Sequence, residues 1–207
     1  MKIGFIFTIL IFLIASCVNQ EKKEIAIPLI SKIHPLAVPT ITIDKSKLDY
    51  DNRISMWQLE GKAFSGYAVS YFKDSTLMQK FGILDGKKQN ESLDWYPDGH
   101  LKQSVNYHKG KIHGEKKVWA SESDHILISH LNYHLGKAHG EQKKWYPTGE
   151  LFKKLNFSMG KEEGIQQAFR KNGALFANYE TRAGKIYGLK KSMLCFGLED
   201  ENVQHEK

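Results

Sequence analysis

The chain has 207 residues, with 30 lysines and arginines against 23 acids, a formal net charge of +7 and 12% aromatic residues. Its only cysteines, Cys17 and Cys195, exclude a disulfide-stapled scaffold. Its apolar start, Ile3 to Ala15, is too short to cross a bilayer as a helix, which takes about 20 residues.

That first run follows Lys2 and ends in Ile14-Ala15-Ser16-Cys17. A basic residue, a short apolar core and small residues make a signal peptide over residues 1–16. The ending resembles the bacterial lipobox, in which cleavage precedes a cysteine whose thiol is lipidated. The resemblance implies lipidation of Cys17, a membrane held through that anchor, and a place in the bacterial cell envelope, periplasmic or surface-facing. Cys195, among Met193, Leu194 and Phe196, reads as a small core residue.

Residues 17–56 lack the pattern that follows. Gln20 to Glu24 is polar, and Pro28, Pro35 and Pro39 forbid a long helix. The stretch reads as an extended tether, or as a partial cap in which Ile41 to Ile43 or Ile54 to Trp57 adds a covering strand to the first repeat.

From residue 57 to 196 the chain repeats. Gly-Lys recurs at Gly61, Gly86, Gly110, Gly136, Gly160 and Gly184, with intervals of 25, 24, 26, 24 and 24. Such a period marks an array of supersecondary units that bury apolar faces against neighbours. Nine residues after the glycine stands a large side chain, Trp95, Trp119, Trp145, Phe169 or Met193. Turn chemistry follows at Pro97-Asp98-Gly99, Pro147-Thr148-Gly149 and Lys171-Asn172-Gly173. Alternation of period two then sets Leu101, Gln103, Val105 and Tyr107 on one strand face, with equivalents in each repeat. Asn106, Asn132 and Asn156 fall on the other face, where solvent is expected. The sum is an all-β, elongated antiparallel meander of about five and a half strand-turn-strand repeats, or about eleven strands.

Segments such as GKAHGEQKKWYPTGELFKKLNFSMGK resemble the MORN-repeat variant of bacterial proteins often labelled YwqK-like antitoxins, from about Trp57 to Phe196. The resemblance implies a row of hairpins with an aromatic surface and raises toxin neutralisation as one role. Two departures stand out. Repeat three replaces Pro-x-Gly by Ala120-Ser121-Glu122-Ser123-Asp124, which makes a longer loop, and repeat six stops after one strand.

The repeat body is basic and the tail, residues 197–207, is acidic and expected to fray. Lys117 and Lys143 stand two residues before Trp119 and Trp145, so lysines and rings share a strand face. Trp95, Trp119, Trp145, Phe169, Lys117 and Lys143 form the candidate interaction surface, suited to a protein or an anionic ligand. Solubility of the sheet is the plainer role for such lysines. An export signal disfavours nucleic acid, and an exposed aromatic groove also suits a homodimer.

Histidines recur in pairs, His108 with His113 and His134 with His139. Repeat duplication alone produces them, and equivalent turns lie about 9 to 10 Å apart, wide for a shared metal. Glu115 and Glu141 recur in register, as partners for lysines rather than as a catalytic pair. No nucleophile-base set or phosphate loop emerges, so neither catalysis nor a cofactor is expected. The reading is a noncatalytic, lipid-anchored interaction protein, with antitoxin or immunity-like neutralisation, or a membrane- or glycan-binding structural module, as alternatives.

Overall fold

The computed structural model describes residues 37–121, 125–189, 197–199 and 202–204, all within one compact unit, Pro35–Lys207. Short strands open it: β1 (Thr42–Asp44), β2 (Asp49–Asp51), β3 (Met56–Leu59) and β4 (Lys62–Ala63). The meander follows as β5 (Gly66–Tyr71), β6 (Leu77–Leu84), β7 (Lys87–Trp95), β8 (Leu101–His108), β9 (Lys111–Trp119) and β10 (Leu127–His134). It continues through β11 (Lys137–Ala138), β12 (Gly140–Trp145), β13 (Leu151–Ser158), β14 (Lys161–Glu162), β15 (Gly164–Phe169), β16 (Leu175–Arg182) and β17 (Lys185–Leu189). A separate hairpin joins β18 (Gly197–Glu199) to β19 (Asn202–Gln204).

Fourteen strands make one sheet, ordered β1-β5-β6-β7-β8-β9-β10-β12-β13-β15-β16-β17, with β11 on β10 and β14 on β13. Eleven strands from β5 to β17 form the expected antiparallel meander. Among the described residues only β1 joins in parallel, on β5. Successive strands pair because two kinds of tight turn alternate along the chain. The Gly-Lys junctions are two-residue turns in which both central residues have positive φ, as at Asp85 (49°) with Gly86 (75°) and Leu135 (46°) with Gly136 (87°). That geometry matches the right-handed twist of the strands it joins. Its centre is the glycine and the residue before it; the lysine already opens the next strand.

The other turn has three residues. Gly99 N–H donates to the Tyr96 carbonyl and Tyr96 N–H to the His100 carbonyl, and Gly99 adopts φ 85°. Tyr146–Glu150, Arg170–Ala174 and Phe72–Thr76 repeat this pattern. In the turn Phe72–Thr76, Ser75 takes glycine's place at φ 67°. The third hairpin closes later, through Ala120 N–H to the Ile126 carbonyl.

Two rows of cross-strand partners run along opposite faces. One links Ala68, Phe81, Ser92, Val105, Lys116 and Leu131. The other links Leu93, Ser104, Lys117, His130, Lys143, Lys154, Gln167 and Asn178.

The buried core lies at the N-terminal end of the meander, where Leu48, Phe64, Ala68, Phe81 and Ile83 cluster with Ile43, Trp57 and Leu59 packed against them. β2, β3 and β4 form a small sheet of their own, and Trp57 reaches the core with its ring 5.3 Å from that of Phe81. Residues 42–63 therefore hold ordered strands, with Ile43 and Trp57 both engaged. A first repeat has no predecessor to cover its apolar face, and these strands supply the cover.

Candidate interaction surface

Lys117, His130, Lys143 and Lys154 are consecutive members of one cross-strand row. Left alone the three lysines would repel. Glu115 bridges Lys117 (2.6 Å) and His130 (3.0 Å), while Glu141 bridges Lys143 (2.5 Å) and Lys154 (3.3 Å). The hydrogen bond from Lys117 holds the Glu115 carboxyl below its usual range, and that from Lys143 does the same for Glu141. The two lysines of the candidate surface thus carry carboxylate partners from their own strands.

The aromatic residues end their strands at β-bulges. Each lies opposite the leucine that follows the turn: Tyr71 with Leu77, Trp95 with Leu101, Trp119 with Leu127, Trp145 with Leu151 and Phe169 with Leu175. Aromatic-aliphatic pairs of this kind contribute about 0.2–1 kcal/mol each, so the row closes the hairpins. Trp95, Trp119, Trp145 and Phe169 are half-buried. The preceding repeat fastens onto two of them, since Tyr96 Oη donates to the Trp119 carbonyl (2.9 Å) and Tyr146 Oη to the Phe169 carbonyl (3.0 Å). Nothing but the Tyr-Pro dipeptide in the sequence pointed to this link.

Asn106, Asn132 and Asn156 do not simply face solvent. Their side-chain amides donate to the carbonyls of Glu115, Glu141 and Ile165 on the next strand. β10 and β12 lose direct pairing near Asn132, and there the buried Gln142 amide accepts from Asn132 N–H (3.0 Å) and donates to its carbonyl (2.8 Å). Gln166 does the same for Asn156. A side-chain amide stands in for a missing strand neighbour, as burial of backbone polar groups requires.

A half-open pocket of about 350 Å³ lies beside the N-terminal sheet, lined by Tyr50, Ile54, Ser55 and Trp57 and by Lys87, Lys88, Lys109 and Lys111. Turn stacking builds its basic wall: Gly110 N–H donates to the Lys88 carbonyl (2.8 Å), which sets the glycine against the Lys87 stem. The Lys88 ammonium lies 4.5 Å from the Phe81 ring centre and 5.1 Å from that of Tyr107. Burial pulls its pKa below the usual lysine range, Asp94 opposes this, and Lys45 adds to the fall. Among the described residues none of the four pocket lysines has a carboxylate ion-pair partner. The repeated Gly-Lys pair carried this signal, but the stacking of successive turns against Tyr50 and Trp57 was not readable from it.

His108, His113, His134 and His139 form a row with ring centres 5.9, 5.0 and 5.9 Å apart. Two of them serve the turns. His113 Nδ1 accepts from Leu135 N–H and His139 Nδ1 from Met159 N–H. Burial, then the charges of His134 and His108, holds His113 below the ordinary histidine value.

Cys17, Cys195 and Met193 lie outside the described residues. The turn glycines Gly61, Gly86, Gly110, Gly136, Gly160 and Gly184 all have positive φ. No helix among the described residues is long and apolar enough to cross a membrane.

A family model described as MORN repeat variant matches the chain at residues 88–109 and 138–158. Both stretches are strand-turn-strand hairpins containing a complete Tyr-Pro-x-Gly turn; the intervening hairpin has the longer loop. No curated protein matches the chain. No solved structure matches it. The β-meander of MORN-type hairpins is a repeat-based module.

Proposed function

We propose that this protein is a noncatalytic interaction module that binds an anionic partner in the lysine pocket beside its first hairpins. Lipid on Cys17 holds it in the bacterial cell envelope. The observation that carries the reading is the contrast between two lysine groups. Lys117 and Lys143 are neutralised by Glu115 and Glu141, whereas Lys87, Lys88, Lys109 and Lys111 line one pocket with Tyr50 and Trp57 and have no carboxylate ion-pair partner among the described residues. Cations lining a pocket with apolar and aromatic walls attract an anion and give it ring contacts. The MORN repeat variant match supports a scaffold role.

The test is crosslinking in the native host, identification of the captured partner by mass spectrometry, and measurement of its affinity. The Lys87→Gln, Lys109→Gln, Lys111→Gln triple variant should lose at least about tenfold in affinity at low salt, and the loss should shrink as salt screens the wild type. The Lys117→Gln, Lys143→Gln variant should bind as wild type does. Equal affinity for wild type and the triple variant would refute the pocket. A single stoichiometric protein partner would give the module an immunity-like role, whereas binding to anionic membranes or glycans would make it a structural one. Cys17→Ser should abolish lipid incorporation; unchanged incorporation would remove the anchor.

A further inference from the structure

β12 and β13 carry two pairs of lysines back to back. Lys143 stands directly opposite Lys154, and Lys144 directly opposite Lys153, so alternation puts one pair on each face of the sheet. Side chains so placed have Cβ atoms about 4.5–5.5 Å apart, and like charges there destabilise the sheet. On the first face Glu141 bridges its two lysines and removes the conflict. On the second, neither Lys144 nor Lys153 has a carboxylate ion-pair partner among the described residues.

Beside the unbridged pair lies a pocket of about 240 Å³, whose lining includes Lys153, Leu155, Glu162, Ala168, Ala177 and Tyr179. Its floor follows from the register. Lys153 pairs with Ala168 and Ala168 with Ala177, so two methyl groups stand where the equivalent partners of earlier repeats are Lys144 with Lys153 and Asp94 with Gln103. The Glu162 carboxylate accepts the Tyr179 hydroxyl at 3.1 Å with each oxygen and is not ion-paired with Lys153.

A ligand carboxylate between Lys144 and Lys153 reproduces the bridge that Glu141 makes on the opposite face, through charge-assisted hydrogen bonds. The body of that ligand then lies over Ala168, Ala177 and Leu155. Glu162 restricts its chemistry, because a carboxylate repels a second acidic group and accepts from hydroxyls. A sugar ring with one carboxylate, several hydroxyls and apolar C–H faces meets all three demands. An acidic peptide side chain is too thin to fill the space, and its neighbours bring further negative charge.

We propose that Lys144 and Lys153, with the alanine-floored pocket beside them, bind a hexuronate unit of an acidic saccharide. The two lysines hold its carboxylate and Glu162 accepts one of its hydroxyls. This site lies on β12 to β16, apart from the lysine pocket beside the first hairpins, and does not depend on it.

The purified full-length chain is titrated at low salt by calorimetry with trigalacturonate, and with maltotriose and triglutamate as neutral and peptide controls. Wild type should bind the uronate saturably, more weakly as salt rises, and should bind both controls far less tightly. Lys144→Gln and Lys153→Gln should each weaken uronate binding by at least about tenfold, the weight of one charge-assisted hydrogen bond. Ala177→Leu should weaken it as well, by filling the pocket at unchanged charge. The Lys143→Gln, Lys154→Gln variant of the opposite face should bind as wild type does, and the Lys87→Gln, Lys109→Gln, Lys111→Gln variant should keep the site. Circular dichroism verifies that each variant keeps its strands. Without ligand, Lys144→Gln should melt no lower than wild type, since it relieves a like-charge pair. No saturable binding, triglutamate bound as tightly as the uronate, binding that survives both lysine substitutions or Ala177→Leu, or loss of binding in the opposite-face variant would overturn the proposal.

Discussion

The six two-residue turns demand positive φ at a position occupied by Glu60, Asp85, Lys109, Leu135, Met159 and Ala183. Only asparagine, aspartate and glycine adopt that region readily, and other L-residues lose about 1–2 kcal/mol there. Leu135→Asn and Met159→Asn should each stabilise the chain by about 0.5–1 kcal/mol in chemical denaturation, since both side chains are exposed. Glycine at the second position was legible from its spacing. The demand on the residue before it was not, because six different residues fill it and no pattern shows.

His113 gives the same scale a pH dependence. Its folded pKa lies below the ordinary value of 6.5 through burial and through His134 and His108. As pH falls through that value the unfolded chain gains a proton the folded chain refuses, so stability is retained above about pH 6.5 and declines below it. Melting temperature measured from about pH 7.5 to about pH 5.5 should therefore fall, and fall less in His113→Gln. An equal slope in both proteins would assign the pH response to other groups.

Within the strand elements, the buried glutamines decide how hairpins join. Gln142 and Gln166 are 5% and 0% exposed and supply the hydrogen bonds that β12 and β15 cannot make near Asn132 and Asn156. Replacing Gln166 by leucine keeps a side chain of similar size but strands the Asn156 N–H, which should cost about 1–3 kcal/mol. Gln142→Leu should cost about the same, measured by denaturant midpoint at unchanged slope. A neutral result for both would show that water supplies the missing bonds. Sequence periodicity placed Gln142 and Gln166 in strands; it could not reveal that their amides substitute for backbone.

At the scale of the whole described unit, each strand of the meander hydrogen-bonds to its neighbours along the chain, apart from the parallel strand and small sheet at the N-terminal end. Stability in such an array is the sum of unit and neighbour contributions. Trp119 is half-buried, pairs with Leu127 and receives Tyr96 at its carbonyl. Trp119→Ala should cost about 1–3 kcal/mol, less than a fully buried tryptophan. Hydrogen exchange should quicken first in β8, β9 and β10, with β15 to β17 protected as before. Uniform loss of protection along the meander would contradict one-dimensional coupling.

Period, strand alternation, turn glycines and the number of meander strands were determined by the residues in order, because a repeat array is held by contacts between units adjacent in the chain. Glu115 and Glu141 as lysine partners were legible for the same reason. Other features required the third dimension. A covering strand from Ile41 to Ile43 or Ile54 to Trp57 was one of two readings of the residues, but the packing of Ile43 and Trp57 on the first-repeat core took the fold to show, and the lysine pocket arises where stacked turns meet Tyr50 and Trp57. Glu141 reaches across to Lys154 on one face of β12 and β13 while Lys144 and Lys153 face each other on the other, because strand register, which no local pattern carries, sets which residues stand opposite.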